Sequence, residues 1–236
     1  MTVRGIYGRA VRTYRRRAGF LILLGAAVFV PLGLIDALAN EVQEVDLGEV
    51  KSFELAALIA GLLARTGTSL LGEVFYSGAV ALTLAGHGGG DRPTLLDVAR
   101  RLAYWRLIAV DLLFSIGTAI GVILLVVPGV VFFTWYALAG PVVELEDAGV
   151  RAAFGRSRRL VRGHFWQVLA VLLPIALASE ALAAPVVDAA HGTFASAFVG
   201  DWVGESLSHI ALSPLFAVPT VLITLELSRS QPASVA

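Results

Sequence analysis

Residues 156–184 read RSRRLVRGHFWQVLAVLLPIALASEALAA, a basic cluster followed directly by a long apolar run. A hydrocarbon layer about 30 Å thick is crossed by a helix of roughly 20 mainly apolar residues, so this run is long enough to span a membrane. Arginines precede a long apolar segment twice more, over 3–39 and over 95–127. The pattern predicts a protein built from membrane-spanning helices with basic segments between them.

The composition of the whole chain agrees with this prediction. Of 236 residues, 57% are hydrophobic and only 15% are charged, and the mean hydropathy is +0.80. A soluble domain usually carries about 25% charged residues to cover its surface. The chain has no cysteine, which excludes disulfides and thiolate metal sites. We therefore predict a single all-α domain over residues 1–236, a polytopic integral membrane helical bundle.

The apolar runs predict six spans. Residues 1–17 are predicted to form a basic amphipathic helix, which we expect in the headgroup layer. The first run is too long for the core of a signal peptide, so we expect it to be retained as a span. A reversal is predicted at Pro128-Gly129, and a loop over 185–204. Three interpretations of segment 53–64 are compatible with the sequence: a re-entrant helix, an interfacial helix or part of the second span. The spans lie at about 18–39, 68–86, 107–127, 130–143, 165–184 and 205–227.

The distribution of positive charge predicts the orientation. Six spans place 16 of the 18 Lys and Arg residues on the side that holds both termini and the two basic loops, and leave only Lys51 and Arg65 on the other. Short loops rich in Lys and Arg stay cytoplasmic. We therefore expect a multi-pass protein of the bacterial cytoplasmic (inner) membrane, with both termini in the cytoplasm.

The stretch from Pro128 to Trp166 includes WYALAGPVVELE at 135–146 and AAFGRSRRLVRGHFW at 152–166. It resembles the membrane domain fused to some bacterial glycerophosphodiester phosphodiesterases, and related free-standing six-span proteins of unassigned function. The resemblance implies a six-span fold and a lipid-related setting. In the fused relatives, hydrolysis belongs to a separate soluble domain. Because the long segments of residues 1–236 are taken up by predicted membrane helices, we expect no such domain here and carry over no catalytic residue.

Arginines beside a span are candidates for binding lipid headgroups. A guanidinium can donate two parallel hydrogen bonds to one phosphate, which a lysine cannot do. The simpler alternative is that these arginines only set the topology. The candidate residues are Arg156, Arg158, Arg159, Arg162, Arg100 and Arg101.

Ionisable residues inside the predicted spans form a second candidate group. Placing such a group in lipid costs at least ~2.5–3.5 kcal/mol on insertion scales, so Glu73 and Asp111 should face the bundle interior. Structural pairing is one interpretation, with Arg65 as partner of Glu73 and with Arg106 or Arg100 as partner of Asp111. A polar pathway for protons, ions or a lipid headgroup is the other. The Gly117-xxx-Gly121 pair predicts a close approach of helices.

No spacing in the sequence indicates a catalytic, metal or nucleotide site. We therefore expect a non-enzymatic protein without a metal, a cofactor or a nucleic-acid partner. The predicted function is binding of anionic phospholipids at the cytoplasmic face, in lipid handling or transport or in bilayer organisation. Two alternatives stay open: a membrane anchor or scaffold subunit for a separate protein, and a small-solute transporter. A homo-oligomer is also compatible with the sequence.

Overall fold

The computed structural model describes residues 2–43, 72–85 and 94–231, and these ranges contain helices and short connections without a β-strand. The prediction of an all-α helical membrane bundle is confirmed. The helices are α1 (Val3–Gln43), α2 (Glu73–Leu84), α3 (Leu95–Arg101), α4 (Tyr104–Leu124), α5 (Val126–Tyr136), α6 (Ala139–Leu145), α7 (Val150–Arg162), α8 (Phe165–Thr193) and α9 (Ala197–Ser230).

Five segments of the described chain are long and apolar enough to cross a membrane. The second predicted span, 68–86, corresponds to α2, whose 12 residues cover only about 18 Å. Its described part is therefore too short to cross a bilayer alone. Segment 53–64 and Arg65 lie outside the described residues. The five spanning segments are Val3–Leu34, Tyr104–Val122, Val126–Leu145, Phe165–Thr193 and Ala197–Ser230.

The basic N-terminal segment and the first span form one helix, α1, with a bend at Arg17 (φ −125°, ψ 15°). Before the bend, Ile6 and Ala10 are buried, and the Tyr7 hydroxyl donates to the carbonyl of Val171 on α8 at 3.0 Å. One face of this segment thus packs on the bundle, while most of its arginines are exposed.

The chain reverses between α4 and α5 at Leu125 (φ −172°, ψ 138°), not at the predicted Pro128-Gly129. Pro128 lies in the first turn of α5, where its missing N–H and fixed φ suit the helix. A Cβ on Gly121 would lie 2.8 Å from the Cα of Gly129, so these two helices touch through their backbones. The close approach predicted at Gly117 and Gly121 is confirmed, since a Cβ on Gly117 would also meet the Phe132 ring.

Helices α5 and α6 form one crossing that is broken at Ala137 and Leu138. Pro141 explains the break, because it has no N–H for the Ala137 carbonyl and its ring displaces that carbonyl. Helix α6 packs closely on α2, because a Cβ on Gly140 would lie 2.3 Å from the carbonyl oxygen of Val74. Only glycine permits this approach, which places α2 against α6.

Helices α8 and α9 continue through most of the region predicted as a loop at 185–204. They pack closely, because a Cβ on Gly204 would lie 2.9 Å from the Cα of Val187. His191 Nε2 also lies 2.5 Å from Asp201 Oδ1, across the turn between the two helices. Among the spanning segments, α9 is the most buried and α8 the most exposed, so α9 lies at the centre of the described bundle.

Candidate functional site

The arginine-bearing segments meet at one end of the bundle, which we call the arginine end. Arg9 of α1 pairs with Glu226 near the end of α9. Arg106 Nη1, at the start of α4, lies 2.5 Å from Asp147 Oδ1 in the α6–α7 turn. The Arg156 side chain of α7 reaches the carbonyl of Gln231, just after α9. The predicted grouping of these segments on one side is thus present in the structure.

Two further contacts lie at the same end. The N–H of Ala103, before α4, donates to Glu144 Oε1 at 2.9 Å. Arg17 donates to the carbonyl of Thr83 in the last turn of α2, where a cation is favoured by the helix dipole. The C-terminal end of α2 therefore also lies at the arginine end.

Arg156 has a structural role in place of the predicted headgroup contact. The residue is 7% exposed, and its Nε donates to both carboxylate oxygens of Glu146, at 3.0 and 2.9 Å. The Ser228 hydroxyl donates to the same carboxylate at 3.0 Å. Arg156 and Glu146 thus connect α7 to the end of α9, and we remove Arg156 from the headgroup set.

The other predicted arginines of α7 face outward. Arg158, Arg159 and Arg162 are exposed, and Arg158 Cζ lies 4.5 Å from the ring centroid of Trp135, within cation–π distance. Trp166, at the start of α8, is 76% exposed. Tryptophan is enriched at membrane–water interfaces, so Trp166 is a candidate marker for the level at which these arginines lie.

The short helix α3 presents two further predicted arginines, Arg100 and Arg101, both exposed in its last turn. Trp105, in the first turn of α4, is 84% exposed. The start of α3 is fixed by a capping box: Thr94 Oγ1 accepts from the N–H of Asp97, and the Thr94 N–H donates to the Asp97 carboxylate. The hydrogen bonds from the Thr94 hydroxyl and N–H lower the pKa of Asp97.

Inside the bundle, Asp111 caps the N-terminus of α2. The residue is 4% exposed, and its carboxylate accepts the N–H of Gly72 at 2.5 Å and of Val74 at 3.1 Å. Asp111 lies about two turns into α4, ~10 Å from its start. Helix α2 therefore begins in the bundle interior. This contact replaces the predicted pairing with Arg106 or Arg100, since Arg106 bonds to Asp147.

Glu73, the first residue of α2, faces α9. It accepts a hydrogen bond from Ser213, and its Oε1 lies 3.5 Å from His209 Nδ1. His209 Nε2 lies 3.9 Å from Glu205 Oε2, one turn earlier on α9, and its ring stacks on Phe29 of α1. The sequence did not predict this Glu73–His209 contact, although Glu205 and His209 share one face of a helix.

This interior cluster joins four helices: α1 through Phe29, α2 through Glu73, α4 through Asp111, and α9 through His209 and Ser213. Tyr76 adds a further link, since its hydroxyl donates to the Leu21 carbonyl on α1 at 2.8 Å. No group of three or more His, Asp or Glu side chains within the described ranges is arranged to hold a metal ion. The contacts observed are those of a helix-packing cluster.

Comparisons of the chain with models of known protein families, with curated proteins and with solved structures give no match. The resemblance noted over 128–166 therefore stays a prediction.

Proposed function

We propose that this chain is a non-enzymatic protein of the bacterial cytoplasmic membrane whose arginine end lies in the cytoplasmic headgroup layer and binds anionic phospholipids. Such a protein would act in lipid handling or transport, or in bilayer organisation. The observation that supports this proposal best is the exposure of Arg158, Arg159 and Arg162 directly before Trp166 and the start of α8.

The expected strength of this interaction follows from the charge of the site. A basic residue near an anionic membrane surface contributes about 1 kcal/mol. Three exposed arginines on α7 would then give about 3 kcal/mol, which corresponds to roughly a 100-fold preference for anionic over zwitterionic lipid. A guanidinium can also hold one phosphate through two hydrogen bonds, which adds geometric selectivity.

The test uses the full chain in nanodiscs of phosphatidylcholine with graded phosphatidylglycerol. Native mass spectrometry counts the phosphatidylglycerol that each protein retains. We expect the triple variant R158Q/R159Q/R162Q to lose most of the wild-type enrichment without a change in thermal unfolding. The matched control, R158K/R159K/R162K, keeps the charge and should keep part of the enrichment. Equal enrichment in the Gln variant and the wild type would mean that these arginines only set the topology.

The two alternatives predict different results in other experiments. A scaffold subunit should bring a stoichiometric partner through purification in mild detergent, and a lipid-binding protein need not. A small-solute transporter should move solute into proteoliposomes, and a change at the interior cluster, such as Glu73→Gln, should abolish that uptake.

A further inference from the structure

A cleft of about 420 Å³ lies at the arginine end, between the basic segment of α1 and the last turns of α9. Its volume is within the range of roughly 300–1,000 Å³ typical of small-molecule sites. The ion pair between Arg9 and Glu226 joins the two helices beside it. The lining residues are Arg9, Leu222, Leu225, Glu226, Arg229 and Ser230.

The charge of the lining favours an anion. Glu226 is the acidic lining residue, and Arg9 already pairs with its carboxylate. Arg229 follows Glu226 by about one helical turn, so it lies on the same side of α9, and it is exposed. Two arginines against one glutamate give the lining a net positive charge. Arg12, exposed one turn after Arg9, adds positive charge nearby.

The lining is also graded along the axis of α9. Arg229 and Ser230 form its outer, polar part, and Leu222 lies about two turns deeper, ~10 Å toward the bundle centre. Leu225 lies between these levels, beside Glu226, whose carboxylate is paired with Arg9. A polar opening above an apolar wall matches an amphiphile, with its phosphate at the arginines and its first acyl carbons on the leucines. A free phosphate would use only the outer part.

We propose that this cleft is a discrete site for one anionic phospholipid, whose phosphate contacts Arg229 and the outer edge of Arg9. This site rests on the proposed function and makes it more specific. The cleft would hold one lipid tightly, in addition to the weaker enrichment of anionic phospholipid by the arginines of α7. The two depend on different residues, so separate variants address them.

Native mass spectrometry of the full chain, released from nanodiscs that contain phosphatidylglycerol and then progressively delipidated, tests the site. The wild type should retain one phosphatidylglycerol after the others are lost. Arg229→Gln, which removes the charge, and Leu225→Trp, which fills the cleft, should each reduce this retention at least about tenfold. Leu215→Trp is the matched control, because Leu215 is exposed on the same helix about three turns away. This variant should retain the lipid.

Competition separates a lipid from a soluble phosphate compound. Inorganic phosphate or glycerol 1-phosphate, added in millimolar excess, should not displace the retained lipid. Displacement by either would overturn the assignment to a phospholipid.

The remaining outcomes distinguish the two proposals. If Arg229→Gln and Leu225→Trp both retain the lipid while the α7 triple Gln variant loses its enrichment, the cleft assignment fails and the proposed function stands. If the cleft variants lose the lipid while the triple variant behaves as wild type, the cleft stands and the proposed role of α7 fails.

Discussion

Arg156 donates through Nε to both carboxylate oxygens of Glu146, at 3.0 and 2.9 Å, and through Nη2 to the carbonyl of Gln231. The largely buried guanidinium therefore joins three parts of the chain: α7, the α6–α7 turn and the end of α9. This ion pair fixes the arrangement of the arginine end. Removing either residue would leave the charge of the other in a largely buried position without its partner.

Arg156→Gln should lower the free energy of unfolding by about 2–3 kcal/mol, since it leaves Glu146 partly buried without its cation. The double variant R156Q/E146Q should be less destabilised than the sum of the single variants. Arg158→Gln, on the exposed face of α7, serves as the control and should change stability little. Thermal unfolding in detergent measures all four. Equal stability of the Arg156 and Arg158 variants would contradict the structural role.

Asp111→Ala should destabilise the protein by about 1–2 kcal/mol, because the first N–H groups of α2 would lose their acceptor. Asp111→Asn keeps one acceptor oxygen and should cost less. Ser115→Ala is the control one turn along α4: Ser115 is buried and its hydroxyl has no hydrogen-bond partner among the described residues, so its removal should be neutral or slightly stabilising. A larger loss in Ser115→Ala than in Asp111→Ala would refute the capping assignment.

Gly140→Ala should destabilise the protein by about 1–3 kcal/mol, because its Cβ would overlap the carbonyl oxygen of Val74 and push α6 away from α2. Gly155→Ala should instead stabilise the protein. A Cβ there meets no atom of the described part of the chain within 4 Å, and alanine favours the helix by about 0.8–1 kcal/mol over glycine. The changes in the free energy of unfolding of the two variants, relative to the wild type, should therefore have opposite signs.

The cap of α3 should depend on pH through Asp97, whose folded-state pKa is lowered by its hydrogen bonds to Thr94. A lowered pKa means that the carboxylate stabilises the helix fully above the pKa of an unfolded aspartate, about 3.9, and that this contribution is lost as the pH falls through the lower folded value. Thr94→Ala should raise the pKa of Asp97. Carbon-13 NMR of labelled aspartate measures it, and an unchanged titration would exclude the capping box.

The sequence predicted the large features because they follow from local composition. Apolar runs such as 165–184 must be helical in a bilayer, and arginines before them indicate which loops share a side. The burial of Arg156 was also readable in principle, since Ala153, Arg156, Ser157 and Leu160 recur at helical spacing on one face of α7. Its charge alone does not show that it faces outward.

Other features depend on contacts between distant residues. Nothing in the sequence near Gly72 indicates that Asp111, on another helix, accepts its N–H and starts α2 in the bundle interior. The reversal lies at Leu125 and not at the predicted Pro128-Gly129 for a local reason: proline is favoured in the first turn of a helix as well as in tight turns. The contact of Glu73 with His209 likewise exists only once α2 and α9 are packed.

The most direct test of the central claim, that the arginine end faces the cytoplasm, uses single cysteines. The chain has none of its own. Gly155, on α7, and Gly192, near the opposite end of α8, are both exposed, and a Cβ at either would have no neighbour within 4 Å in the ranges that the structure describes. In intact bacterial cells, an impermeant maleimide should label Gly192→Cys at once and Gly155→Cys only after permeabilisation. Labelling of Gly155→Cys from outside intact cells would contradict the orientation and the proposals built on it.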